Sequence, residues 1–230
     1  MCLVPARTRA SPLVRCIALV LLATLAGCAT APPERDTTQA ERERAQRLLD
    51  DNRPLAAARV YRDLAQRTDG DSAQRWRLEL VEVLLTHEFE ALALAWHREL
   101  NAQPVPDALN FRKRIVDAWA AVQRQQGQRA LRLLPDAAAA PDDTQRARIL
   151  GIRARAYAMT GRAGQAVADR ITRAALLSTP EAIASNRNEL WETLDGLSST
   201  RLERLVDADT APTLKGWAEL ALAAREARAG

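Results

Sequence analysis

Side chains that move protons, attack carbonyls or hold metals near neutral pH are chiefly histidine, cysteine and closely placed carboxylates. The only histidines here are His87 and His97. Their ten-residue separation does not stack them on adjacent helical turns. Cys2, Cys16 and Cys28 are the only cysteines, all near the amino terminus, so no third nitrogen or sulfur ligand completes a zinc site. His87 falls at a predicted turn and His97 beside Trp96 on a predicted helix, and both read as surface or packing residues. The chain contains no G-x-S-x-G nucleophile motif and no glycine-rich phosphate loop. Asp142 and Asp143 are explained as helix-start residues, Glu41 and Glu43 as a solvated face. The sequence therefore predicts no catalytic residue, no metal site and no enzymatic activity.

What remains is recognition. Five tryptophans, Trp76, Trp96, Trp119, Trp191 and Trp217, are the usual anchors of a binding groove, but four lie within or near apolar helical stripes, where core packing accounts for them. Arg42, Arg77, Arg148 and Arg155 are the candidate groove residues, suited to an acidic partner peptide or the anionic stem of a cell-wall component. Solvated arginine is the commoner state of such side chains. Which reading holds depends on the elements that carry them.

The first element decides the compartment. Arg7, Arg9 and Arg15 precede and flank an apolar run from Cys16 to Leu25, the charged start and apolar middle of a secretory signal peptide. Leu25, Ala26, Gly27 and Cys28 then resemble the lipobox of bacterial lipoproteins, in which the cysteine receives a diacylglycerol and becomes the mature amino terminus. A transmembrane helix needs about 20 apolar residues, and Pro32, Pro33, Glu34 and Arg35 interrupt the run too early. A cut after Ala31 would place Pro32 next to the cleaved bond. Stable anchoring needs more than one acyl chain, which the lipoprotein class supplies on Cys28. Residue 29 is Ala, whereas aspartate there is the usual inner-membrane retention signal of Gram-negative lipoproteins. The expected location is the periplasmic face of the outer membrane, with the covalent lipid on Cys28 and no other cofactor.

Removal of residues 1–27 also removes Arg7, Arg9 and Arg15, leaving 30 of the 33 basic residues against 29 acidic ones. The sequence pI of about 9.4 is thus largely a property of the leader, and no nucleic-acid partner is expected. With only Cys28 retained, no disulfide forms within one chain.

Alanine, leucine and arginine dominate the remainder, a mix that favours helix over strand. Residues 28–37 read as a lipidated tether and 38–230 as an all-helical domain. Ala45, Leu48 and Leu49 face one way in a first helix. Pro54 suits the first turn of the next, which carries Ala57, Ala58, Tyr61 and Leu64. Trp76, Leu80, Val83 and Leu84 form a second stripe, returned by 91–100. Phe111, Ile115 and Trp119 mark a third helix with the short partner 130–134. Ala147, Leu150, Ala154 and Tyr157 pair across Gly161 with Ala163, Ala166, Val167 and Ile171. Turns at Asn52, His87, Gly127 and Gly161 are separated by 35, 40 and 34 residues, near the 34-residue tetratricopeptide period. The expected fold is all-α, with helical hairpins stacked as an irregular tetratricopeptide-like solenoid. In that frame the candidate arginines fall on first helices, which line the concave face.

Beyond Pro180 come Asn186, Glu189, Leu190, Trp191, Leu194 and Leu197, then Leu214, Gly216 and Trp217. With the Gly161 hairpin and the lipobox, this pattern resembles the amino-terminal domain of the penicillin-binding protein activators, the LpoA or LppC lipoproteins. The resemblance covers Cys28 to about Ala224. It implies a tetratricopeptide-like fold and a non-enzymatic regulator in the outer membrane that stimulates a bifunctional peptidoglycan synthase, a penicillin-binding protein, in the inner membrane. Family members continue into a periplasmic-binding-protein-like domain that contacts the synthase. The chain is expected to lack that domain, so no synthase-contact residue carries over. The alternative is a repeat-fold adaptor lipoprotein serving envelope assembly or secretion.

Overall fold

The computed structural model describes residues 34–207 and 212–230. The signal peptide and the lipidation residue Cys28 lie outside the described residues. Four helical pairs follow one another: α1 (Glu34–Asp50) with α2 (Pro54–Arg67), α3 (Gly70–Thr86) with α4 (Glu90–Asn101), α5 (Asn110–Gln123) with α6 (Gly127–Leu133), and α7 (Asp143–Met159) with α8 (Ala163–Ala174). They are followed by α9 (Pro180–Asp195), α10 (Ser199–Asp207) and α11 (Pro212–Ala229). Among the described residues the regular structure is entirely helical. The fold is the expected all-α solenoid. α1 begins inside the span read as a tether, because apolar periodicity, the signal used for that boundary, starts only at Ala45.

One turn closes all four pairs. Asn52, Glu88, Gln125 and Gly161 adopt left-handed φ values of 54°, 63°, 58° and 75°. In each case the next amide donates to the carbonyl five residues back: Arg53 to Leu48 at 2.7 Å, and Phe89 to Leu84, Gln126 to Ala121 and Arg162 to Tyr157 at 2.9 Å. This is the Schellman closure, which satisfies carbonyls that a helix end leaves unpaired. The left-handed residues are 36, 37 and 36 positions apart, more even than the spacing read from sequence. Two of the expected turn positions therefore move, from His87 to Glu88 and from Gly127 to Gln125.

The even period exposes a second regularity. Seven residues before each left-handed residue stand Ala45, Val81, Ala118 and Ala154, and five after it stand Ala57, Ala93, Ala130 and Ala166. All eight are fully buried, at 0 % exposure. Small side chains at these two positions let the helices of each hairpin approach closely. Gly127 serves the same end between hairpins. A Cβ there would lie 3.0 Å from the Ala156 carbonyl oxygen and 3.0 Å from Met159 Cβ.

One apolar cluster runs from Ala45 through Trp76, Ile115 and Trp119 to Ala156. A second joins Val167 on α8 to Leu190, Leu194, Leu202, Leu214 and Ala218. The tryptophans pack as expected of core residues: Trp76 stacks near Tyr61 with centroids 6.1 Å apart, and Trp191 meets Trp217 edge-on at 5.4 Å. At the start of α7, the Asp142 carboxylate accepts from the Gln145 amide at 2.7 Å, the helix-start role its position implied.

Candidate functional site

First helices of successive hairpins enclose a cavity of about 470 Å³. Its walls come from α3, α5, α7 and α9, and residues 176–179 close one side. The apolar surface is supplied by Leu85, Ile115, Val116, Trp119, Ile152 and Leu176. Charged side chains occupy both ends.

At one end, α7 and α8 aim three guanidinium groups toward a single carboxylate on α9. Arg155 Nη2 and Nε donate to Glu189 Oε1 and Oε2 at 2.7 and 3.2 Å, the forked geometry that suits a guanidinium to a carboxylate. Arg170, only 3 % exposed, presents Nη1 to Glu189 Oε2. Arg173 has a different set of partners. Its Nε donates to the Ala147 carbonyl at 3.1 Å and its Nη1 to Asn186 Oδ1 at 3.0 Å. Asn186, itself 2 % exposed, donates onward from Nδ2 to the Arg170 carbonyl at 2.9 Å. Gly151 gives Arg173 its passage across α7, since a Cβ there would fall 3.0 Å from Nε and 3.2 Å from Cζ.

Burial alone would raise the Glu189 pKa, but the hydrogen bond from Arg155 and the charge of Arg170 outweigh it and hold the carboxyl below its ordinary value. Burial lowers the pKa of both Arg170 and Arg173, and repulsion from Arg155 adds to the effect, against a partial offset from Glu189. Glu189 is bonded by Arg155 and Arg170 while Arg173 bonds only neutral oxygens, and Glu88, Glu90 and Glu192 add weaker attraction from further off. The directly paired charge at this end of the cavity is therefore net positive.

The other end is balanced. Arg112 on α5 donates to Glu79 at 3.1 Å and to both oxygens of Glu82, and Arg148 on α7 reaches Glu82 at 3.5 Å. Burial opposes the charge of Arg112, but Glu82 and then Glu79 raise its pKa despite this.

The structure brings two of the four candidate groove residues together. Arg148 and Arg155 lie two turns apart on α7 and both line the cavity. Arg77, half-buried on α3, donates to the Gln103 side chain at 3.0 Å. Arg42 is exposed on α1. Arg173 and Glu189 line the cavity and Arg170 contacts Glu189; Glu189 was visible in the sequence only as part of the resemblance, and neither arginine stood out there. A signal for one of them existed. Arg170 stands nine residues after Gly161, the position that Tyr61 fills after Asn52, so a cation occupies a core register.

His97 is a packing residue, 7 % exposed, with Nε2 2.8 Å from Asp117 Oδ1. His87 is half-buried at the carboxy end of α3. Among the described residues, no group of three or more His, Cys, Asp or Glu side chains is placed to hold a metal ion. No described helix is long and apolar enough to cross a membrane.

A family model described as LppC putative lipoprotein matches residues 51–229. Among solved structures, full-length LpoA from Haemophilus influenzae superposes with a TM-score of 0.62 at 19% identity, covering 74% of this chain and 31% of that one. The LpoA N-terminal domain from the same organism superposes with a TM-score of 0.58 at 18% identity, covering 74% of this chain and 76% of that one. The chain thus spans about a third of full-length LpoA and most of its N-terminal domain. No curated protein matches the chain.

Proposed function

Because the chain belongs to the LppC putative lipoprotein family, we propose that it is an envelope lipoprotein that activates a bifunctional peptidoglycan synthase, a penicillin-binding protein, by contact and not by catalysis. The lipid on Cys28 holds it at the periplasmic face of the outer membrane, and the hairpin array presents the contact surface. The observation that carries this reading is the family match over residues 51–229. The stacked hairpins agree with it, because such arrays offer extended concave surfaces to partner proteins.

The test is a transglycosylase and transpeptidase assay of the cognate synthase with and without the purified chain. Stimulation of either activity is the expected result. Absence of both stimulation and binding overturns the reading. Capture of a secretion or outer-membrane assembly component in its place would support the adaptor reading. Localisation is tested separately by replacing Cys28 with Ser, which releases the protein from the outer-membrane fraction if the lipid is the anchor.

A further inference from the structure

We propose that the cavity between α3, α5, α7 and α9 is a docking site for a short acidic peptide segment of a partner protein, whose carboxylate is taken by Arg173 and Arg155. Three features of the cavity argue for this occupant.

The first is charge. Glu189 is shared between Arg155 at 2.7 Å and Arg170, while Arg173, which lines the cavity, donates to the neutral oxygens of Ala147 and Asn186. A second carboxylate entering here meets a cation whose bonds to neutral acceptors are weaker than those it makes to an anion. It also relieves the repulsion among Arg155, Arg170 and Arg173.

The second is the apolar wall beside that charge. Ile115, Trp119, Ile152 and Leu176 line the same cavity, so the group that brings the carboxylate must also carry hydrocarbon. A volume of about 470 Å³ lies within the range of sites that take small ligands or a few residues of peptide. The third is the set of uncharged hydroxyls at Thr144 and Ser178, both exposed and both lining the cavity. They suit backbone amides, which offer a donor and an acceptor at each residue.

Gly151 is the structural correlate of the site. Its missing side chain is what lets the Arg173 guanidinium cross α7 and reach the cavity, given the 3.0 Å approach described above.

This inference stands apart from the synthase reading, because it is tested on the chain and a defined peptide alone. The probe is the pentapeptide Ala-Leu-Glu-Leu-Ala, blocked at both ends, compared by titration calorimetry with a twin carrying glutamine in place of glutamate. The expected result is binding of the acidic peptide at least about tenfold tighter than the twin, weakened by salt. Arg173→Met, which leaves Arg155 in place, shrinks the affinity difference between the two peptides, and Ala182→Phe, at a residue that lines the cavity, weakens both. Arginine side-chain NMR of the unmutated chain provides a readout that survives if Arg173→Met fails to fold: the Nε–Hε signals of Arg155 and Arg173 shift with the acidic peptide and not with the twin. Equal affinities, no binding up to about 1 mM, or unmoved arginine signals would each overturn the proposal.

Discussion

His97 on α4 and Asp117 on α5 lie with Nε2 and Oδ1 2.8 Å apart, so a buried ring on one hairpin is tied to the first helix of the next. Arg170 on α8 meets Glu189 on α9 in the same register two hairpins on. His97 follows the left-handed Glu88 by nine residues, as Arg170 follows Gly161. In two of its four pairs the array thus uses this position, occupied by Tyr61 in the first pair and by Leu134 in the third, to place a buried polar group against an acid of the element that follows.

Asp117 gives this bond a pH signature. Burial would raise its pKa, but hydrogen bonds from His97 and Lys113 outweigh burial and hold the carboxyl below its ordinary value. A depressed native pKa contributes stability that is present above the unfolded value and is lost as pH falls through the native one. Asp117→Asn should cost about 1 to 2 kcal/mol at pH 7, and the gap from the unmutated chain should close below about pH 4. Urea titrations at several pH values check this. A gap that stays constant down to pH 3 would count against the bond as a source of acid sensitivity.

Glu189 is the acid that two cations depend on, and losing it leaves Arg170 buried without a carboxylate. Glu189→Gln should destabilise the chain by about 3 kcal/mol. The double variant Glu189→Gln with Arg170→Met should recover much of that loss, because the unpaired buried charge goes with its partner. Additive losses in thermal or urea unfolding would show that the pair is not coupled.

The repeated turn can be improved at one place. Gln125 holds a left-handed φ of 58°, a conformation that costs an L-residue roughly 1 to 2 kcal/mol. Gln125→Gly should therefore raise stability by about 1 kcal/mol, and Gly161→Ala, at φ 75°, should lower it by a similar amount. Opposite signs in the two unfolding midpoints are the outcome that supports the turn assignment.

Gly127 predicts a packing penalty. With the Ala156 carbonyl oxygen and Met159 Cβ each 3.0 Å from where its Cβ would sit, Gly127→Val should cost about 1 to 3 kcal/mol through overpacking of α6 on α7. A Val substitution at the exposed Gly216, where a Cβ meets nothing within 4 Å, is the control for helix propensity alone. Equal losses at the two positions would rule out the close approach as the reason for glycine at 127.

Much of the architecture could be read from the sequence, for reasons that individual residues make plain. Asn52 and Gly161 are residue types that tolerate left-handed φ, and both sit where the turns occur. Gly127 misled because glycine has two uses, a left-handed backbone and a close approach, and here it serves the second while Gln125 makes the turn. Arg148 and Arg155 were legible because the repeat frame set by the turns puts them on a first helix, on the concave side of the array, though the same frame also picked out Arg42 and Arg77, which do not line the cavity. Arg173 and Glu189 were not, since their meeting depends on how α8 and α9 pack against α7, which no local pattern encodes.

The apolar cluster that reaches α7 and the one that begins on α8 share no residue, and polar contacts run between them alongside the buried Ala154 and Ala166. Arg153 grips Asp169 with two bonds of 2.7 Å, Arg173 spans from Ala147 to Asn186, and Arg155 reaches Glu189. A third apolar cluster, around Leu78, Val81 and Leu100, lies on α3 and α4, and the α7–α8 joint is held by these ionic contacts beside its buried alanines. Dissolved salt weakens the solvent-exposed part of these half-buried pairs, so the joint softens modestly while the apolar clusters stay intact. Hydrogen exchange at rising ionic strength should see this as faster opening along α8 and α9 with α3 and α5 unchanged, and the charged end of the cavity lies along that joint.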